Sequence, residues 1–192
     1  SLSISEMAQE LDRPGNFVGM HFFNPVNRMP LVEVIAGAES SQSTIASIVE
    51  LAKKLGKTPI VVKDCPGFLV NRILIPYLNE AVLLWQEGAG VKEVDSLIKN
   101  FGMPMGPFTL TDEVGIDIGY HVAKILEDGF GERMKTAAIF EHLIEREKLR
   151  GKKTGQGFYS YSGSKQTGVN PEIISIQKEY TTDSITLSSQ TI

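Results

Sequence analysis

Apolar positions along this chain fall into two regimes. In the first they come in short runs: Phe17 to Phe23, Leu31 to Ile35 and Thr58 to Val62. Runs this short, rich in Val, Ile and Phe and bounded by Asn24-Pro25, Gly37 and Gly56, read as strands. Between the second and third, Ile45, Ile48, Val49, Ala52 and Leu55 recur at helical spacing. Ser40 to Thr44 can cap that helix and Gly56 ends it. A short amphipathic segment, Ile4 to Leu11, precedes the strands and is broken at Arg13-Pro14-Gly15-Asn16. Strand and helix in alternation predict α/β architecture, although three strands make only part of a sheet.

After Val62 the period changes. Pro66 to about Glu87 reads as one long apolar helix with Pro76 inside it, which predicts a kink. Phe68, Leu69, Leu74, Ile75, Leu78, Ala81, Val82 and Trp85 leave it little polar surface, so it belongs in a core or at a subunit interface. Val91 to Asn100 is a shorter amphipathic helix ended by Gly102, and Pro107 to Asp128 and Thr136 to Leu149 are predicted as mostly helical. The fold class is therefore α/β over 1–63 followed by an all-α domain over 64–161. From Ser162 the chain turns polar, and 162–192 is predicted to be a linker or tail.

Composition narrows the classes. The chain has 192 residues and a net charge of −4, with no basic patch to imply a nucleic-acid partner. No apolar run is long enough to span a bilayer, and no signal-peptide pattern opens the chain. The lone Cys65 forms no internal disulfide and fits a reducing, cytoplasmic compartment, as a small buried hydrophobe rather than a nucleophile. The chain begins at Ser1, inside an amphipathic segment, and is expected to be a piece of a longer polypeptide.

His21 and Glu33 are the first candidates for chemistry. Both sit in runs apolar enough to be buried, where an unpaired imidazole costs free energy and an unpaired carboxylate costs more. If they pair, Glu33 accepts from one ring nitrogen and the other works on a substrate, which is how an oriented general base is wired. A lone His on an apolar strand is, however, more often a satisfied core residue. Asn71 falls on the long apolar helix, where a buried amide needs partners; on residues alone it could simply tether helix to strand. Asn24 is a turn former before Pro25, Lys153 a solvated loop cation, and Asp112, Glu113 and Asp117 a capping or solvated acidic cluster. His121 and His142 have no metal-ligand spacing with each other or with Cys65, so no metal is expected. No Gly-x-Gly-x-x-Gly turn is present, and the glycines from Gly151 to Gly157 precede an aromatic run, the wrong context for a phosphate loop.

Four motifs in order add to this. His21-Phe22-Phe23-Asn24-Pro25-Val26, continued by Met29-Pro30-Leu31-Val32-Glu33-Val34, is similar to the signature of the L-3-hydroxyacyl-CoA dehydrogenases. The runs Asp64-Cys65-Pro66-Gly67-Phe68-Leu69-Val70-Asn71-Arg72, Met105 to Asp117, and Gly151 to Tyr159 match the same family in the same order. The resemblance covers the chain to about Tyr161. It implies the C-terminal part of a Rossmann-type NAD-binding domain over 1–63, incomplete, followed by the helical C-terminal domain of the family. The half that grips the pyrophosphate would lie just before Ser1. The implied reaction is NAD-dependent oxidation of a 3-hydroxyacyl-CoA to a 3-ketoacyl-CoA. His21 would be the base and Glu33 its orienter; Asn71 would bind the substrate oxygen, and Asn24 and Lys153 would touch the cofactor. The family also uses a Ser that aligns one residue upstream of Ser1, so Ser1 is not that Ser.

Continuation past Tyr161 resembles the large multifunctional α subunits of bacterial β-oxidation, which implies a thiolase β subunit as partner and a second helical domain downstream. Taken alone, the chain is expected to be inactive, to bind NAD weakly, and to self-associate through its helical domain. Two alternatives stand beside this: another NAD-dependent β-hydroxyacid dehydrogenase, and a non-catalytic helical dimerisation module.

Overall fold

The computed structural model describes residues 2–180, and their contacts divide the chain into one unit ending at Arg72 and another beginning at Ile73. In the first unit, α1 (Ile4–Ala8) starts where the Ser3 hydroxyl accepts from the Glu6 N–H. β1 (Gly19–Phe22) and β2 (Leu31–Ala36) pair antiparallel. α2 (Gln42–Lys54) then crosses over, capped by Ser41, and β3 (Thr58–Lys63) returns parallel to β2. The sheet order is β1-β2-β3.

Strand alternation sorts the side chains to two faces. Val32 and Val34, with Met20 and Phe22, pack against Ile45, Ile48 and Val49 of α2. Ile35 and Val62 face the other way, into a cluster with Ile4, Phe17 and Phe68. Glu33 is two residues from Ile35 and so shares that second face. His21 is its direct cross-strand partner and shares it too.

The helix α3 (Val70–Gln86) begins before Arg72 and carries Pro76 inside it. The second unit continues with α4 (Val91–Phe101), α5 (Pro107–Val114), α6 (Ile116–Phe130) and α7 (Ile139–Glu145). A hairpin of β4 (Tyr159–Ser162) and β5 (Lys165–Val169) follows, then α8 (Pro171–Tyr180). Aromatic rings pack inside its largely aliphatic core. Phe158 meets Trp85 edge-on at 5.3 Å and Phe108 at 4.6 Å between ring centroids, and all three are buried.

The structure departs from the sequence reading in several places. The long helix expected from Pro66 begins at Val70, after a turn over Pro66 to Leu69. The expected helix over Pro107 to Asp128 is two helices, because Gly115 takes φ 102 between them. The contacts divide the chain at Arg72 rather than at 63/64, since Phe68 packs with Ile4 and Ile35 and the Leu69 and Val70 amides are held by Glu33. Residues 162–180 are not a linker or tail. Ile173 and Ile176 of α8 are buried in the core of the second unit, and Gln177 donates to the Trp85 and Ala89 carbonyls at 2.6 and 2.8 Å. Asn170 before Pro171 caps α8 by accepting from the Glu172 N–H, a start signal hidden in polar sequence. The remainder of that predicted tail, 181–192, lies outside the described residues, as does Ser1.

Candidate active site

The register places His21 opposite Glu33, and the side chains meet. His21 Nδ1 lies 2.7 Å from Glu33 Oε2. Glu33 is fully buried, whereas 32 % of the His21 side chain is exposed. An ionised carboxylate can only accept, so Nδ1 carries the proton and donates it. That tautomer leaves a lone pair on Nε2, which has no partner among the described residues. Phe23 meets the imidazole edge-on at 4.8 Å, and Phe68 lies 5.7 Å away. These two rings wall the imidazole and leave it the partial exposure a proton acceptor needs.

The second oxygen of Glu33 is also used. Oε1 accepts from the Leu69 N–H at 2.9 Å and the Val70 N–H at 3.0 Å. These amides stand at the N-terminus of α3, where helix N–H groups lack intrahelical partners and the dipole favours negative charge. Three donors therefore offset the desolvation of the buried carboxylate. The chain enters this arrangement through a turn. Cys65-Pro66-Gly67-Phe68 closes with Phe68 N–H donating to Cys65 O at 2.9 Å, and Gly67 has φ 72, as a type II turn with Pro second and Gly third requires. Phe68 itself takes φ 47, a left-handed backbone that costs a non-glycine residue about 1–2 kcal/mol. Burial of its ring, worth about 1.5–3 kcal/mol, offsets that cost.

Asn71 lies in the first turn of α3, half-buried, one residue beyond the amides that bind Glu33. The same carboxylate thus ties down His21 and the helix end bearing Asn71. Asn24 follows β1 in an exposed loop, its amide without a partner among the described residues, before a cis bond to Pro25. Lys57 holds this loop, donating to the carbonyls of Val26 and Met29. Lys153 belongs to the second unit, where its Nζ lies 2.6 and 2.7 Å from the two oxygens of Asp117. Partial burial pushes the Asp117 carboxyl up, but the hydrogen bond and charge of Lys153 pull it below its ordinary value.

Two buried carboxylates of the second unit escaped the sequence reading. Asp95 accepts from the Phe108 and Thr109 N–H groups, the Thr109 hydroxyl and the Tyr159 hydroxyl. Asp112 accepts from the Phe158 and Tyr159 N–H groups and the Tyr161 hydroxyl, and is 1 % exposed rather than solvated. Burial pushes the Asp112 carboxyl up to about 6, the charge of Asp95 adding to the rise while the three donors oppose it. Glycines make room for both: a Cβ on Gly106 would fall 2.3 Å from Asp95 Cγ, and one on Gly157 2.0 Å from Asp112 Oδ1. The signal was there in Gly106 and Gly157, although nothing in sequence says which acid a glycine admits. Among the described residues no His, Cys, Asp or Glu cluster could hold a metal ion, and no helix is long and apolar enough to cross a membrane.

Known proteins match over the same residues. The family model of the 3-hydroxyacyl-CoA dehydrogenase NAD binding domain matches residues 1–65, and that of the 3-hydroxyacyl-CoA dehydrogenase C-terminal domain matches 67–161. A fatty acid oxidation complex subunit alpha from Psychrobacter cryohalolentis is 53 % identical over 168 residues, 86 % of this chain and 23 % of the relative. One from Vibrio cholerae is 48 % identical over 178 residues, 93 % of this chain and 25 % of the relative. The chain thus spans about a quarter of the length of these curated relatives. The crystal structure of (S)-3-hydroxybutyryl-CoA dehydrogenase PaaH1 from Ralstonia eutropha superposes with a TM-score of 0.81 at 42 % identity, covering 84 % of this chain and 58 % of that one.

Proposed function

Because the chain belongs to the 3-hydroxyacyl-CoA dehydrogenase family, we propose that it carries the general base of an NAD-dependent L-3-hydroxyacyl-CoA dehydrogenase of fatty-acid β-oxidation. The observation that carries this reading is the 2.7 Å contact between His21 Nδ1 and buried Glu33, with Nε2 left open on a partly exposed ring. In the proposal, Nε2 takes the hydroxyl proton of the 3-hydroxyacyl-CoA, and Glu33 stabilises the imidazolium that forms. Asn71 holds the substrate oxygen beside it. NAD, when bound, supplies the hydride acceptor. The exposed amide of Asn24, uncommitted within the described residues, fits a cofactor contact. Lys153 could reach the cofactor only by leaving Asp117, and exposed ion pairs of this kind are worth about 0–1 kcal/mol.

The test is NADH formation from a 3-hydroxyacyl-CoA by the dehydrogenase carrying this sequence. His21→Ala should slow turnover by about 10²–10⁴-fold, and Glu33→Gln should slow it less. Near-normal rates in both would overturn the assignment. Three further proposals accompany this one: a cytoplasmic location, a thiolase β subunit as partner of the parent protein, and self-association of the helical domain. On α3, the long apolar helix, Ile75, Leu78, Ala81, Val82 and Trp85 are buried while Ile73 is 65 % exposed, so Ile73 marks the part of that helix left for such a contact. A monomeric mass by light scattering at micromolar concentration would remove it.

A further inference from the structure

We propose that Phe68 is a positioning residue for the His21–Glu33 pair, acting through its backbone as an elbow. The order of causes runs along the chain. The Pro66-Gly67 turn delivers Phe68 in a left-handed conformation, φ 47, directly after Gly67 at φ 72. Two left-handed residues in succession turn the chain sharply, and the next two N–H groups, of Leu69 and Val70, both meet Glu33 Oε1. With Oε1 occupied, Oε2 is the oxygen left for His21 Nδ1. The Phe68 ring closes the circuit on the same face, packed with Ile4 and Ile35 and 5.7 Å from the imidazole.

A left-handed backbone at a bulky residue is uncommon. A Phe needed only for its ring could sit in an ordinary conformation. A glycine would suit the backbone alone. This position asks for both at once, a conformation that aims two amides and a side chain that backs the imidazole. Glu33 is thereby fixed from two directions, and the carboxylate orients the imidazole instead of following it.

The consequence for turnover rests on the reading of His21 as the base, whereas the elbow itself can be tested without activity. Replace Phe68 by Gly, Asn, Ala and Val, and measure hydrogen exchange at the Leu69 and Val70 amides. Ring ¹⁵N shifts of His21, assigned with His21→Gln, report which nitrogen carries the proton. If the backbone conformation does the positioning, protection should follow tolerance of positive φ: Gly first, then Asn, then Ala, with Val worst. Exchange in Phe68→Val should exceed that in Phe68→Gly by about tenfold or more, and the Nδ1–H form of His21 should cease to dominate. If Phe68 is only a core residue, the order follows apolar bulk, with Val best and Gly worst. That order, or equal protection throughout, would overturn the inference. Should Phe68→Val not fold, Asn against Ala still decides, since a core filler favours Ala and an elbow favours Asn. In the dehydrogenase, kcat should follow the amide order while KM for NAD stays level. Turnover that ignores an amide order otherwise obeyed would count against His21 as base and leave the elbow standing.

Discussion

Glu33 in the first unit and Asp112 in the second solve the same physical problem in the same way, yet only one of them makes a candidate site. Each carboxylate is buried, and each is held by two consecutive backbone N–H groups and one side chain. The difference lies in the side-chain partner. Asp112 is met by the hydroxyl of Tyr161, which has done its work once it donates. Glu33 is met by one nitrogen of an imidazole whose other nitrogen is open and whose ring is partly exposed. A buried carboxylate therefore marks a joint in the fold. It marks chemistry only where a partner carries the interaction onward to an unsatisfied atom that a substrate can reach.

The sharpest way to break this contrast is to delete the two outer partners. His21→Ala should cost about 10²–10⁴-fold in turnover while leaving the fold in place, because Glu33 keeps its two amides. Tyr161→Phe should leave turnover within a few-fold and lower stability by about 1 kcal/mol, the worth of one hydrogen bond. NADH formation and chemical denaturation, measured on both variants, check the pair. Equal losses of turnover would erase the distinction.

Next in size is the carboxylate itself. Asp112→Ala strands the buried N–H groups of Phe158 and Tyr159 and the Tyr161 hydroxyl at once, and each orphaned donor costs about 1–3 kcal/mol. A total loss of about 3 kcal/mol or more is expected. Trp85, the chain's single Trp, is buried in the second unit, so its fluorescence reports unfolding of that unit specifically. A loss below about 1 kcal/mol would mean that water satisfies these groups.

What the sequence disclosed follows the same division. Strand runs, the Ser41-capped helix and the His21 and Glu33 positions were legible because period-2 patterning fixes which residues share a face. Once β1 and β2 pair in register, the contact between them follows. The other half of Glu33's environment was not legible, since the Leu69 and Val70 donors are backbone and carry no residue signature. Pro66 was read as the first residue of the long helix, and nothing in the sequence said that Pro66-Gly67 would instead make a turn, that Phe68 would go left-handed after it, or that the helix would wait until Val70. Asp112 was read with Glu113 and Asp117 as a surface cluster. Helical spacing separates their faces, but only the partners from Phe158 to Tyr161, more than forty residues away, show which face is buried. The hairpin and α8 were missed for a related reason: Ile173, Ile174 and Ile176 stand in otherwise polar sequence, too few to set a period, and tertiary packing decides that the first and last are buried and Ile174 is exposed.

A pH series sharpens the contrast further. The Asp112 carboxyl is raised from an ordinary value of 3.8 to about 6. The folded state thus holds this proton more tightly than the unfolded state, so the group's contribution is full below pH ~4 and is lost as pH rises through ~6. The stability margin of the unaltered chain over Asp112→Asn should therefore be larger at pH 4 than at pH 7, by about 2 kcal/mol, since a tenfold difference in proton affinity between the two states is worth about 1.4 kcal/mol. Denaturant midpoints followed by Trp85 fluorescence across pH 4–7 give the margin directly. A margin that grows with pH would show that the three donors outweigh burial and hold Asp112 ionised throughout.

The smallest effect is expected at Lys153, and it tests the contrast from its exposed end. Lys153 Nζ touches both oxygens of Asp117, with the two side chains 47 % and 37 % exposed. Solvent screens such a pair, and ordering a long side chain cancels much of the attraction, so Lys153→Gln should change stability by about 0.5 kcal/mol or less at pH 7. The Asp117 carboxyl is held below its ordinary value, so whatever the pair contributes is present near neutrality and fades as pH falls below ~4. It should also fade between 0.1 M and 1 M salt, as the screening length drops from ~10 Å to ~3 Å. A pair this weak leaves the ammonium able to exchange Asp117 for a phosphate or carboxamide, as a cofactor contact requires. In the dehydrogenase, Lys153→Gln should then raise KM for NAD several-fold with kcat little changed. A stability loss of about 2 kcal/mol or more would instead place Lys153–Asp117 with Asp112 among the structural joints and withdraw Lys153 from the cofactor.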